Sequence, residues 1–136
     1  MDRVNYKLEN VRRMSIALDK AINKWRQTID SEELEFIQDS VVARFKILIE
    51  STWKLIKEHL EHQGLSEIPN SPKGIIELAA ESGLLSKAEQ DVFIKFWALR
   101  NLATHLYDQP QYVLVVEAAP DALELIKKIL TRLETS

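Results

Sequence analysis

The stretch FWALRNLATHLYDQ, residues 96 to 109, places Arg100, Asn101, His105 and Tyr107 among the apolar residues Phe96, Leu99, Ala103 and Leu106. Two of these polar residues are suited to phosphate chemistry. A histidine titrates near neutral pH and can take or give a proton during a reaction. An arginine offers a planar fork of donors that matches phosphate oxygens. Their spacing sets a geometric condition. Five residues along a helix put Arg100 and His105 about 140° apart around its axis, so within one straight helix they do not converge. A distortion near the helix end, or a second copy supplying the partner group, would bring such groups together.

The helix that carries them reads as two strips. At about 100° per residue, Val92, Phe96, Leu99, Ala103 and Leu106 cluster on one side as the expected core stripe. Phe93, Trp97, Arg100, Thr104 and Tyr107 fall on a second strip about 80° or more around. The second strip could be a wide core face, with Arg100 and Tyr107 extending their polar ends to water. The stacked polar groups, with Asn101 and His105 one turn apart, favour a strip that meets another subunit around a polar site.

The elements that must position this helix are legible from periodicity and caps. Val4, Leu8, Val11, Leu18, Ile22, Trp25 and Ile29 recur at steps of four and three, with Ser15 the polar member of the stripe, which predicts one long amphipathic helix. Asp30 or Ser31 can cap a second helix whose first turn holds glutamates and which stops near Gln63, before Gly64. Its apolar face is broad. Val41, Phe45, Leu48 and Leu55 form one stripe, and Val42, Ile49, Trp53, Ile56 and Leu60 a second beside it, so it must touch more than one neighbour. After the loop GLSEIPNSP, Ser71 and Pro72 open a short third helix that ends at Gly83. Ser86 and Glu89 are spaced as a capping box for the fourth. The remainder is helical with Pro120 inside, where a kink or a restart is expected because proline lacks the backbone donor and clashes with the preceding turn. The expected fold is all-α: an antiparallel four-helix up-and-down bundle with an additional short helix, five helices in all, the last kinked at Pro120. Residues 1–136 read as a single domain.

Composition limits the function. The 136 residues include no cysteine and carry a formal charge of −3. No thiolate nucleophile, disulfide or cysteine-ligated zinc is available. The acidic balance argues against a general nucleic-acid coat while leaving room for a local basic cleft. No apolar run approaches a membrane span, and MDRVNYKLENVRR lacks the apolar stretch of a signal peptide. A cytoplasmic protein is expected. Glu58, His59, Glu61 and His62 share a helical region in which a metal could bind, but a solvated helix end accounts for them and no third ligand group is evident. Trp53 with Lys54 and Lys57 suggests a stacking or phosphate patch, against the simpler reading of a core tryptophan with surface lysines.

RNLATHLY, Arg100 to Tyr107, matches R-x4-H-x-Y and resembles the HEPN proteins paired with minimal nucleotidyltransferases, the branch called nucleotidyltransferase substrate-binding proteins. The resemblance covers nearly the whole chain. QDSVVARFKILIESTWKLIKEHLEHQG follows the branch's second-helix pattern, with Asp39, Ser40, Arg44, Phe45, Trp53, Lys54, Lys57, Leu60 and Gly64 in place, and SPKGIIELAAESGLL is similar to its third-helix segment. Two positions depart from it. Gln38 stands where the branch usually has arginine, and Lys46 where it has glutamate.

The resemblance implies a toxin that cleaves RNA without metal or cofactor. Arg100 and His105 would be the ribonuclease pair, Asn101 the supporting polar residue, and Tyr107 the hydroxyl to which the partner nucleotidyltransferase antitoxin attaches AMP. It also implies a homodimer with the two motifs facing across a cleft, so that one histidine could act as base and the other as acid. Phe93, Trp97 and Thr104, with Arg44 and Lys46 of the second helix, are candidate interface or nucleotide contacts. The alternative is a non-catalytic subunit that holds nucleotide or substrate for the transferase. The chain has neither a glycine-rich phosphate loop nor the paired aspartates of a transferase itself.

Overall fold

Arg3–Gln27 form α1, and the apolar seam expected there faces inward from Val4 to Trp25. Ser15 sits in that seam without cost because its hydroxyl donates to the Val11 carbonyl at 2.9 Å. The structure is a computed structural model describing residues 3–105 and 109–135, with only the backbone described for 104, 105 and 109–111. Ile29, expected to continue the α1 seam, lies beyond the helix end and is exposed. Thr28 and Asp30 flank it, and the Asp30 carboxylate ends the connection by accepting from the Glu32 and Glu33 amides at 3.0 and 3.1 Å.

Asp30 thereby caps α2, Ser31–His62, a helix of 32 residues. Both of its expected apolar stripes are buried, and it packs against every other helix: α1, α3, α4 and α5. That answers why its apolar arc is so wide. Gly64 then takes φ +78°, which only glycine adopts without strain, and turns the chain out of the helix.

α3, Pro72–Glu81, starts as its sequence indicates, with the Ser71 hydroxyl accepting from the Gly74 amide at 3.1 Å. Gly74 is there for space, since a Cβ on it would stand 2.6 Å from Pro69 Cβ. α4, Lys87–His105, opens on the reciprocal capping box. The Ser86 amide donates to Glu89 Oε1 at 2.9 Å, and the Glu89 amide donates to Ser86 Oγ at 3.1 Å. α5 spans Gln109–Thr135 and runs unbroken through Pro120, so the chain does not restart there. Its C-terminal turns are tied to α4: Arg132 makes a two-pronged contact with Glu89 at 2.8 and 2.9 Å and donates to the Leu84 carbonyl at 3.1 Å.

Together α1, α2, α4 and α5 make the antiparallel bundle, with α3 lying against α2 and α4. Among the described residues there is no strand, and no helix is long and apolar enough to cross a membrane. The core of α4 differs from its expected stripe. Phe93, Phe96 and Ala103 are buried, while Val92 is exposed beside α5. The helix is rotated so that the core falls between the two strips, taking Phe96 and Ala103 from the first and Phe93 from the second.

Near the end of α2, His59 is buried beside His62, and Glu58 is paired with Arg3 at 2.6 Å. Among the described residues no three histidine, aspartate or glutamate side chains are grouped to hold a metal. Burial holds the His59 imidazole below its ordinary value, with the charge of His62 acting in the same direction. The unfolded chain therefore binds a proton at His59 at higher pH than the folded one. The stability this residue contributes is complete above its ordinary value of 6.5 and is lost as pH falls through the lower folded value. Urea midpoints followed from neutral pH to about one unit below the unperturbed imidazole value are expected to fall further for the wild type than for His59→Leu.

Candidate functional site

Arg100 is the centre of the site, and α2 and α4 position it between them. Its guanidinium carbon lies 4.9 Å from the centre of the Trp97 ring, over the ring face, where the π-electrons attract a cation. Nη1 donates to Asn101 Oδ1 at 3.1 Å, and Nη2 lies 3.4 Å from Glu50 Oε2. Trp97 is itself held by Trp53, edge to face at 6.2 Å, and Trp53 Nε1 donates to the same Glu50 oxygen at 3.1 Å. Lys54 stands 3.2 Å from Glu50 Oε1. Beneath this level Phe45 and Phe96 meet edge to face at 6.3 Å, fixing the register of α2 against α4.

The result is an arginine whose face, and both of whose terminal nitrogens, have partners on rigid helices. Burial alone would raise the Glu50 pKa. The hydrogen bonds from Trp53 and Lys54, with the charges of Arg100 and Lys54, outweigh it and hold the carboxyl below its ordinary value. Glu50 therefore remains an anion against Arg100 across the neutral range. Beside this pair opens a cleft of about 380 Å³ lined by Ala43, Lys46, Ile47, Glu50, Ser51 and Arg100. A cleft with two cations and one carboxylate, floored by small and apolar side chains, can accept an anionic group.

The expected site residues are distributed unevenly. Arg100 and Lys46 line the cleft, and Trp97 and Asn101 hold Arg100 at its edge. Phe93 does not: it is fully buried in the core, which corrects the expectation that it contacts an interface or nucleotide. Arg44 also points elsewhere, donating from Nη1 to the Ala17 carbonyl of α1 at 2.8 Å. The His105 backbone closes α4, but its side chain, that of Thr104, and all of Tyr107 lie outside the described residues. Trp53 is core, as its simpler reading had it, and Lys57 reaches Asn70 at 2.8 Å.

Glu50 was not among the residues singled out from sequence. The available signal was an acid placed between Ile49 and Trp53, in the most apolar part of α2, with a tryptophan at i+3 and a lysine at i+4.

The family described as nucleotidyltransferase substrate binding protein like matches residues 6–135. The chain belongs to that family. No curated protein matches this family member significantly in sequence. Among solved structures, a Thermus thermophilus protein is similar at 29% identity and a TM-score of 0.68, over 85% of this chain and 98% of that one. A tri-AMPylated HEPN toxin of Shewanella oneidensis, in complex with its MNT antitoxin, is similar at 21% identity and a TM-score of 0.79, over 100% of both chains. The substrate-binding domain of a Haemophilus influenzae nucleotidyltransferase is similar at 19% identity and a TM-score of 0.80, over 93% of this chain and 98% of that one. At these identities the latter two likenesses show the fold of this family member.

Proposed function

We propose that this chain is a HEPN-type toxin: a metal-independent endoribonuclease that works as a homodimer and is silenced when a partner minimal nucleotidyltransferase attaches AMP to Tyr107. The observation that carries the proposal is the fixed orientation of Arg100, held on Trp97 between Glu50 and Asn101 at the edge of a cleft. A preoriented guanidinium stabilises charge that develops on a phosphate without reorganising during the reaction. His105 follows on the same helix. As a base it takes the proton of a ribose 2′-hydroxyl, which attacks the adjacent phosphorus. A second histidine, from the other copy, protonates the departing 5′-oxygen. The partner and the modification are supported by the Shewanella toxin, which is AMPylated and bound to an MNT antitoxin. AMP on Tyr107 would place negative charge and bulk two residues from His105, and RNA would be repelled and displaced.

The Haemophilus structure, described as a substrate-binding domain, favours a second reading, in which the chain holds nucleotide or substrate for a transferase and cleaves nothing. Purified wild type and His105→Ala, each assayed on total RNA with a chelator present, separate the two. Cleavage by the wild type alone is expected. Intact RNA in both samples supports the binding subunit.

A further inference from the structure

Lys46 is half-buried on α2 and lines the cleft that Arg100 edges. The acid it would meet on its own helix is Glu50, one turn on. Both Glu50 oxygens are engaged elsewhere. Oε1 stands 3.2 Å from Lys54, and Oε2 accepts from Trp53 at 3.1 Å and lies 3.4 Å from Arg100. The other positions one turn from Lys46, Val42, Ala43 and Ile49, carry no charge. Among the described residues Lys46 makes no ion pair and no side-chain hydrogen bond. Of the two cations lining the cleft, Glu50 answers Arg100 and leaves the charge of Lys46 in excess.

We propose that Lys46 holds a second phosphate of the RNA, the one adjoining the linkage that is cut, so that the cleft selects strands that continue past the cleavage point. The proposal rests on the ribonuclease reading and adds a specificity-determining residue to it. The two cations suit different tasks. Arg100 is pinned by Trp97, Asn101 and Glu50, and a fixed fork serves the phosphate on which charge develops. Lys46 is a point charge on a flexible four-carbon stem, which follows a phosphate without fixing its direction. That suits a phosphate whose charge stays the same throughout the reaction.

Phosphates recur at every nucleotide, so a strand with one phosphate on Arg100 carries the next one nucleoside away. The cleft of about 380 Å³ is of a size that takes a small ligand, which leaves room for that nucleoside. Ala43 and the 52% exposed Ile47 give it an apolar floor. Lys46 stands where the branch usually has glutamate, so this contact goes beyond what the resemblance implies.

Binding of a short single-stranded RNA to His105→Ala, which leaves the strand uncut, is followed by fluorescence anisotropy over a range of salt. The same protein carrying Lys46→Gln, Lys46→Arg or, as a control exposed on α3, Lys73→Gln is measured beside it. Each phosphate contact on a single strand contributes about 0.7 to the slope of log K against log salt. Lys46→Gln is expected to flatten the slope by at least about 0.7 and to raise Kd about tenfold, the scale of one charge-assisted hydrogen bond. Lys46→Arg and Lys73→Gln are expected to keep the parent slope. With His105 intact, the preference in kcat/KM for a tetranucleotide over a dinucleotide, which has a single phosphate, is expected to fall about tenfold in Lys46→Gln. An unchanged slope, a slope that Lys46→Arg does not keep, or an unchanged preference overturns the contact and, where the wild type cuts RNA, leaves the toxin reading standing. The expected slopes in a protein whose wild type cuts no RNA overturn the toxin reading and leave Lys46 as a phosphate contact.

Discussion

Arg100→Lys is expected to lower RNA cleavage about 10²-fold, the scale seen when one preorganised donor to a developing charge is removed, while leaving the melting temperature within a few degrees of the wild type. Lysine keeps the positive charge but not the plane or the fork. It cannot lie over Trp97 while also meeting Asn101 and Glu50, as the guanidinium does at 4.9, 3.1 and 3.4 Å. The charge would remain near the phosphate with its direction lost. Binding of RNA depends on charge more than direction, so KM should change little and kcat should carry the loss. Single-turnover cleavage of one RNA by matched preparations measures both. An equal loss in a variant that has also lost its helical signal would mean the arginine serves the fold.

The second large effect concerns stability. Glu89→Ala is expected to cost about 2–3 kcal/mol, because a charge-assisted hydrogen bond contributes about 1.5–3 kcal/mol and a helix cap about 0.5–2 kcal/mol, discounted here for solvent around the half-exposed Arg132. Glu89 does two tasks at once. It closes the capping box of α4 with Ser86, and it receives both prongs of Arg132 from the last turns of α5. The hydrogen bonds from Arg132 lower the Glu89 pKa most; burial opposes them, and Ser86 assists, so the carboxyl titrates at about 2, down from 4.5. A depressed carboxyl contributes stability that is present above its ordinary value and is lost as pH falls through the folded one. Denaturant midpoints of the wild type should therefore decline between pH 4.5 and about 2, and those of Glu89→Ala should decline less over the same window. Equal slopes would mean that the acid-side loss arises elsewhere.

The parts of the fold that were legible in sequence are those set by local chemistry. Asp30, Ser71 with Pro72, Ser86 with Glu89, and Gly64 each mark a helix end because the backbone groups there need a partner or a positive φ. The two stripes of α2 were readable because almost every residue in them is apolar. The rotation of α4 was not. Val92 and Phe93 are equally apolar neighbours about 100° apart, and only the position of α2 and α5 decides that Phe93 turns inward. Pro120 raised the same difficulty, since its own chemistry allows either a bend or a break, and packing of α5 on α1, α2 and α4 keeps the two halves one helix.

Arg100 and Asn101, which the structure sets beside Glu50 and Trp97, and His105 of the proposed function could be named from residue type and from the resemblance of RNLATHLY. Glu50 could not, because its role depends on the register that sets it across from Arg100, a property of two helices together. Arg44 shows the converse. It matches the branch's pattern, but it faces α1 and serves the packing of α1 on α2.

The most direct test of the toxin reading is growth of a bacterial host on induction of this chain alone, beside His105→Ala expressed to the same soluble level. Arrest by the wild type and normal growth with His105→Ala is the expected result. Normal growth with both proteins, soluble and folded, would contradict it.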